Sequence, residues 1–190
     1  MHNNLTPQPT DEVVILADDN GQPAGTENKV VVHTAETPLH FAFSAWLVRD
    51  GKLLLTRRAL TKQTWPGVWT NSFCGHPAPG ESNADAVYRR AVVELGIDPS
   101  DLSAPEVVLP DFAYRAVDSS GIVENEICPV FITSLNADAT FEHNPEEVDS
   151  LAWVEIEKVL AAVDAAPGVF SPWMVEELAF SELRTALCEH

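Results

Sequence analysis

The sequence predicts an α+β fold in a single domain. Three observations predict it. Short runs of β-branched and aromatic residues alternate with turn residues through much of the chain, and apolar positions at helical spacing are confined to a few segments. The length of 190 residues suits one substantial core and is short for two.

The elements follow in order. Val13–Leu16 and Asn28–Val32 read as strands flanking the turn-rich Asp18, Asp19, Asn20 and Gly21. Pro38 interrupts the next connection. His40–Val48 and Lys52–Arg58 flank Asp50 and Gly51, a hairpin signal, because glycine tolerates the positive φ such a turn needs. Trp69–Cys74 reads as one more strand after the loop marked by Pro66 and Gly67. Then the period changes: Ala84, Val87, Ala91 and Leu95 recur at helical spacing, Ser82 or Asn83 can cap the start, and Gly96 can end it. Val107–Arg115 and Glu126–Leu135 read as strands around an Asp118–Gly121 turn. A short strand over Leu151–Val154 leads into a helix over Ile156–Ala165. Ser171 followed by Pro172 has the cap-then-proline order of a helix start, with the helix expected to run to about Leu187. Met1–Thr10, polar and proline-containing, reads as a flexible N-terminal tail, leaving residues 11–190 as the domain.

Composition narrows the function. A net charge of −18 argues against nucleic acid as a partner and fits a solvated surface. Yet seven of the eleven Lys and Arg residues fall between Arg49 and Arg90, a stretch holding only the acids Asp50, Glu81 and Asp85. A locally basic segment in an acidic chain points to a small anionic ligand. No apolar run approaches the ~20 residues of a membrane helix, and the N-terminus carries no secretory pattern. Three widely spaced cysteines, Cys74, Cys128 and Cys188, form no disulfide framework and suit a reducing compartment. The expectation is a cytoplasmic protein with no nucleic-acid or membrane partner, and nothing demands more than a monomer.

The strongest local signal begins at Gly75. Five residues separate it from Glu81 and seven more separate Glu81 from Arg89, after which Ala91, Glu94, Gly96 and Ile97 close the segment. This resembles the Nudix box, a loop–helix–loop motif of diphosphate-processing enzymes, written G, five residues, E, seven residues, REUXEEXGU, where U is aliphatic. Arg90 and Val93 stand where the motif carries two of its metal-binding glutamates. A cation and an aliphatic group in those places weaken a hydrolytic metal cluster. Glu94 can still hold one hard cation such as Mg²⁺, with phosphate oxygens completing its shell. Taken alone, Arg90 and Glu94 are an ordinary i,i+4 surface pair worth ~0.3–0.5 kcal/mol.

His33 and His40 flank a short segment containing Pro38, and His76 lies two residues beyond Cys74. Glu124 and Glu126 are two apart, so on a strand both point to one face. Imidazole with carboxylate suits Mn²⁺, Zn²⁺ or Fe²⁺. Singly, each of these histidines reads as a structural hydrogen-bonding residue, and spacing does not assemble the five into one site.

Longer strings carry a wider resemblance. They are His33 to His40 (HTAETPLH), Thr56 to Leu60 (TRRAL), Trp65 to Pro77 (WPGVWTNSFCGHP), Gly121 to Val130 (GIVENEICPV) and Phe170 to Met174 (FSPWM). Together they strongly resemble the type 1 isopentenyl-diphosphate isomerases, a Nudix-fold family of isoprenoid biosynthesis. The resemblance implies Nudix-like mixed β-sheets with flanking helices, and interconversion of isopentenyl and dimethylallyl diphosphate through a tertiary carbocation. It implies one divalent cation, Mn²⁺ or Zn²⁺, on His33, His40, His76, Glu124 and Glu126, and Mg²⁺ on Glu94 with the substrate diphosphate. Lys29, Arg58, Lys62 and Arg90 match the diphosphate contacts. Cys74 and Glu126 match the catalytic pair, Tyr114 the residue assisting near Glu126, and Trp173 the aromatic against the hydrocarbon tail.

Chemistry explains why such residues are needed. A simple alkene is a weak base, so its protonation requires a positioned acid and a positioned base. The cation formed must be shielded from water, and an indole face stabilises it without attacking it. Two alternatives share the motif: a Nudix hydrolase, favoured by Glu81, Arg89 and Glu94 but opposed by Arg90 and Val93, and a diphosphate- or metal-binding protein without turnover.

Overall fold

The computed structural model describes residues 12–190; the tail expected over residues 1–10 lies outside them. In chain order the strands are β1 (Val13–Ala17), β2 (Pro23–Asn28), β3 (His40–Phe41), β4 (Phe43–Arg49), β5 (Lys52–Arg58), β6 (Trp69–Thr70), β7 (Phe73–Gly75), β8 (Glu106–Leu109), β9 (Ala113–Val117), β10 (Val123–Ile127), β11 (Val130–Ser134) and β12 (Val148–Glu155). The helices are α1 (Lys29–Val32), α2 (Asn83–Leu95), α3 (Ile156–Ala165), α4 (Pro172–Glu177) and α5 (Ser181–Cys188). A five-stranded sheet has the order β2-β1-β3-β10-β9. A seven-stranded sheet follows β12-β5-β4-β11-β8, with β6 added on β5 and β7 on β4. Both sheets are mixed, since β3 runs parallel to β10 and β4 parallel to β11.

Long apolar runs fall in the larger sheet because it is covered on both faces. Phe43, Ala45, Leu47 and Leu54 face α2, packing with Val87, Ala91 and Leu95. The alternate residues Trp46, Val48, Leu53 and Leu55 face the other way, toward Tyr114 of the smaller sheet and Val159, Trp173 and Leu183 of the later helices. The alternation along β4 and β5 thus divides one strand pair between two cores.

Where the chain departs from its expected elements, side chains explain most of the difference. The expected strand Asn28–Val32 is instead mostly the single turn α1. The Asn28 side chain accepts from the Val30 amide at 2.8 Å, and this cap outweighs the β preference of three valines. The expected strand Trp69–Cys74 splits at Asn71 and Ser72. Ser72 accepts from the Leu47 amide and donates to the Leu54 carbonyl, both at 2.7 Å, while Asn71 donates to the carbonyls of Ala45 and Phe73. These side chains fill the gap where β4 and β5 diverge beyond their hairpin.

The expected strands His40–Val48 and Glu126–Leu135 each break where the chain passes from one sheet to the other, at Ala42 and at Cys128–Pro129. Val107–Arg115 breaks at Pro110, and the final helix divides at Leu178–Phe180. The Asp50–Gly51 turn, with both residues at positive φ, and helix α2, capped by Ser82 and ended by Gly96, form as expected. So does α3.

Gly96 sits at φ 66 with a Cβ position only 2.5 Å from the Glu142 carbonyl oxygen. Gly96→Ala combines left-handed strain with a backbone clash and is expected to cost roughly 1–3 kcal/mol of stability. Urea unfolding checks this; an unchanged midpoint contradicts it.

Candidate active site

The sheet-switching strands set the site. β3 and β10 run side by side, pairing His40 with Glu126, and across β9 the same Glu126 pairs with Tyr114. One residue past Gly75, His76 enters from β7, and His33 follows α1. One ligand atom from each of His33, His40, His76 and Glu126 lies within 4.8 Å of the others. Glu126 Oε1 is 3.2 Å from His76 Nε2 and 3.4 Å from His40 Nε2. Glu124 stands one step out, its Oε2 3.0 Å from His33 Nε2 and its Oε1 accepting from Thr64 at 2.7 Å.

These groups fit a divalent metal. His33 Nε2, His40 Nε2 and Glu124 Oε2 are buried without a hydrogen-bond partner among the described residues, a costly state unless the lone pairs have another use. His40 Nδ1 lies 2.9 Å from the Pro38 carbonyl, which fixes the proton on Nδ1 and leaves Nε2 to bind a cation. Burial pushes the Glu126 carboxyl up, but the His40 and His76 rings set against it outweigh that and hold the group well below the usual range. His76 is driven down to about 4, chiefly by burial, so its imidazole is neutral and able to ligate.

The cluster opens into a cavity of about 680 Å³. Cys74, Tyr114, Glu126 and Trp173 line it, as do Lys29, Arg58, Lys62, Arg90 and Glu94. His40 lies behind, fully buried. Burial, and then the negative charges of Glu177, Glu94 and Glu126, push the Cys74 thiol well up. Trp173 donates to Asn71 Oδ1 at 3.0 Å, meets Trp65 edge to face and Tyr114 at a tilt, and carries the Arg58 guanidinium 5.5 Å above its ring.

Carboxylates hold the cations in place. Lys29 donates to Glu12 at 2.6 Å, and Lys62 pairs with Glu147. Arg90, 3% exposed, reaches Glu94 at 2.7 Å, Glu147 at 3.3 Å and Glu12 at 3.6 Å. It is a buried hub, not the exposed pair that its spacing alone suggests. Gly75 makes room for it, since a Cβ there would lie 2.7 Å from Arg90 Cγ. Arg89 holds Glu81 through two 2.7 Å bonds and donates to the His76 carbonyl, fastening the loop onto α2.

Several residues around the site escape sequence reasoning: Glu12 and Glu147, which pair with the cations, Asn71, which joins Cys74 to Trp173, and the buried Glu177. Only Asn71, a polar residue inside an apolar β-run, left a trace.

A family model described as NUDIX domain matches residues 38–174. The chain is 57% identical to the Isopentenyl-diphosphate Delta-isomerase of Corynebacterium efficiens over 180 residues, 94% of this chain and 95% of the relative. The chain belongs to the isopentenyl-diphosphate Delta-isomerase family. The protein of that name from Escherichia coli O17:K52:H18 is 53% identical over 177 residues, covering 93% of this chain and 94% of its own. Among solved structures, DR0079 from Deinococcus radiodurans superposes with a TM-score of 0.65 at 20% identity, covering 88% of this chain and 98% of that one. The MutT protein from Methanosarcina mazei Go1 gives 0.57 at 22% identity, covering 75% and 91%. These two likenesses establish the Nudix fold, an α+β arrangement of mixed sheets with flanking helices. No helix among the described residues is long and apolar enough to cross a membrane.

Chelating the divalent metal is expected to lower the thermal midpoint, and Mn²⁺ to restore it. An ion that binds only the folded state stabilises it by about 2.7 kcal/mol at a hundredfold excess over Kd. His40→Ala is expected to remove most of that response. Equal midpoints with and without metal would count against a metal centre here.

Proposed function

We propose that the chain interconverts isopentenyl and dimethylallyl diphosphate by adding a proton at one carbon and removing one from another, in the supply of isoprenoid precursors. The single observation that supports this reading most is that Cys74 and Glu126 line the same cavity as the paired cations and the Trp173 indole. Near-complete coverage by relatives carrying the isomerase name supports it independently.

In this reading Cys74 and Glu126 act on the carbon skeleton as acid and base, exchanging roles with the direction of reaction. Tyr114, stacked on Phe112 and tilted against Trp173, borders the reacting carbons beside Glu126. The positive charge that forms has the indole face of Trp173 as its stabilising surface, a contact worth ~2 kcal/mol or more when desolvated. Trp65, edge to face on Trp173, packs around this half and helps to exclude water.

Lys29, Arg58, Lys62 and Arg90 bind the diphosphate and fix the register of the tail. Lys29, Lys62 and Arg90 are paired with the carboxylates Glu12, Glu94 and Glu147, and Glu146 lines the same cavity. Cations so largely offset do not balance a multiply charged headgroup, so the site calls for a hard divalent cation. Glu94 would hold that Mg²⁺ together with the phosphate oxygens. His33, His40, His76, Glu124 and Glu126 would hold the second ion, Mn²⁺ or Zn²⁺. Bound there, it supplies fixed positive charge that orients Glu126 and tunes its proton affinity. We place the enzyme in the cytoplasm, as a monomer made of one domain over residues 11–190.

A Nudix hydrolase would instead release phosphate. The burial of Arg90 in the place of a motif carboxylate weighs against it.

Purified protein supplied with isopentenyl diphosphate, Mg²⁺ and Mn²⁺ in D₂O is expected to yield deuterated dimethylallyl diphosphate by NMR; phosphate release without double-bond movement would favour the hydrolase. Cys74→Ser and Glu126→Gln are each expected to lower kcat by about 10²–10⁴-fold while diphosphate binding changes far less. A near-full rate in either variant removes that residue from its role. Arg90→Ala is expected to weaken substrate binding by about thirtyfold or more, the cost of breaking a buried charge pair. An unchanged Kd by calorimetry excludes it from the clamp.

A further inference from the structure

Glu124 stands apart from the other expected ligands. His33, His40, His76 and Glu126 form the compact group, and strand register places Glu126 by pairing it with His40. Glu124 lies earlier on β10, beside His33, so its carboxylate needs a separate means of orientation.

Thr64 supplies it. This residue sits in the loop between β5 and β6 and is buried where it lines the cavity. Its hydroxyl lies between two groups of opposite character. Arg58 Nη2 is 3.2 Å from Thr64 Oγ1, and Thr64 Oγ1 is 2.7 Å from Glu124 Oε1. A guanidinium only donates and a carboxylate only accepts, so the single hydroxyl proton goes to Glu124. Thr64 is itself held firmly, because Arg58 Nε and Nη2 also donate to its carbonyl, at 3.1 and 2.9 Å.

That bond decides which oxygen of Glu124 faces inward. With Oε1 engaged by Thr64, Oε2 lies 3.0 Å from His33 Nε2. His33 Nδ1 faces the Lys29 carbonyl at 3.4 Å, which leaves the lone pair of the ring on Nε2. Oε2 and Nε2 are both buried without a hydrogen-bond partner among the described residues. Two lone pairs so placed are costly unless a cation takes both.

We propose that Thr64 is a positioning residue for the metal centre: its hydroxyl engages Glu124 Oε1 and presents Oε2, with His33 Nε2, as a ligand pair. The proposal deepens the His/Glu metal site of the isomerase reading and rests on it. Outer hydrogen bonds of this kind orient ligating carboxylates, and losing one costs about 10–100-fold in metal affinity. A hydroxyl that merely satisfied a buried oxygen would affect the stability of the protein without setting its affinity for the ion.

The test is calorimetric binding of Mn²⁺ to the full chain, stripped of metal and supplied with excess Mg²⁺. Wild type is compared with Thr64→Val, Thr64→Ser, Glu124→Gln and the Thr64→Val, Glu124→Gln double variant. Valine keeps the size of threonine and lacks the hydroxyl, so Thr64→Val is expected to bind Mn²⁺ about tenfold more weakly or worse. Thr64→Ser restores the hydroxyl and should stay within about threefold of wild type. The double variant should bind within about twofold of Glu124→Gln alone, because Thr64 acts through Glu124. A wild-type Kd in Thr64→Val overturns the proposal. So does a Thr64→Ser variant as weak as Thr64→Val, which would assign the loss to the methyl group, or a fully additive loss in the double variant. Should Thr64→Val fail to fold by circular dichroism, Thr64→Ala against Thr64→Ser makes the same comparison. A wild type that binds no Mn²⁺ overturns the metal centre and this proposal together. The expected pattern of affinities in a protein that leaves isopentenyl diphosphate unchanged would support the proposal and count against the isomerase reading alone.

Discussion

Two strand crossings made side by side hold this molecule together. β3 passes into β4 at Ala42 while β10 passes into β11 at Cys128 and Pro129, and the two paths stay hydrogen-bonded through the change of sheet. The Ala42 amide donates to the Ile127 carbonyl at 2.9 Å and the Ser44 amide to the Pro129 carbonyl at 3.0 Å. Backbone buried between two sheets must have partners, and here each crossing supplies the other's. The same register sets His40 against Glu126, so the constraint that satisfies the backbone also builds the candidate metal centre.

Around that seam the cavity divides by polarity. One side carries Lys29, Lys62 and Arg90 with their carboxylate partners; the other carries Cys74, Tyr114 and Trp173. The partition has local causes. Arg90 reaches the cavity from a helix that packs its adjoining face on the core through Val87, Ala91 and Leu95, and Gly75 leaves room for its stem. Burying an arginine is costly unless it is paired. Here burial works against the charge of Arg90, but Glu94, Glu147 and Glu12 outweigh it and hold the guanidinium firmly protonated. Asn71 does the corresponding work on the apolar side, joining Ser44, Cys74 and Trp173 through a single amide. Thiol and indole therefore share one support.

Much of this was legible along the chain. The hairpin at Asp50–Gly51, the capped helix from Ser82 to Gly96 and the helix at Ile156 formed as read, because glycine conformation, capping and apolar period are local properties. The candidate site residues were legible through the strings that surround them, not through spacing. His33, His76 and Glu126 come from three separate elements, and no periodicity relates them. Strand limits were harder to read, since Asn71 and Ser72 replace ladder bonds with side-chain bonds whose partners lie about 18 to 26 residues away. The turn at Lys29–Val32 was hidden behind β-branched residues that a single Asn28 cap overrides.

By itself, then, the sequence determined the class of fold, the diphosphate motif with its two altered carboxylates, and the chemical character of the residues available. Tertiary structure alone decided which of them meet: that Arg90 is a buried hub among three carboxylates, that Glu12 ties it to Lys29 and Glu147 ties it to Lys62, and that Glu177 is buried with one carboxyl oxygen unpartnered among the described residues. The reason is physical. Residue type and local period are written in neighbouring positions, whereas burial and charge pairing depend on contacts that exist only once distant strands have crossed.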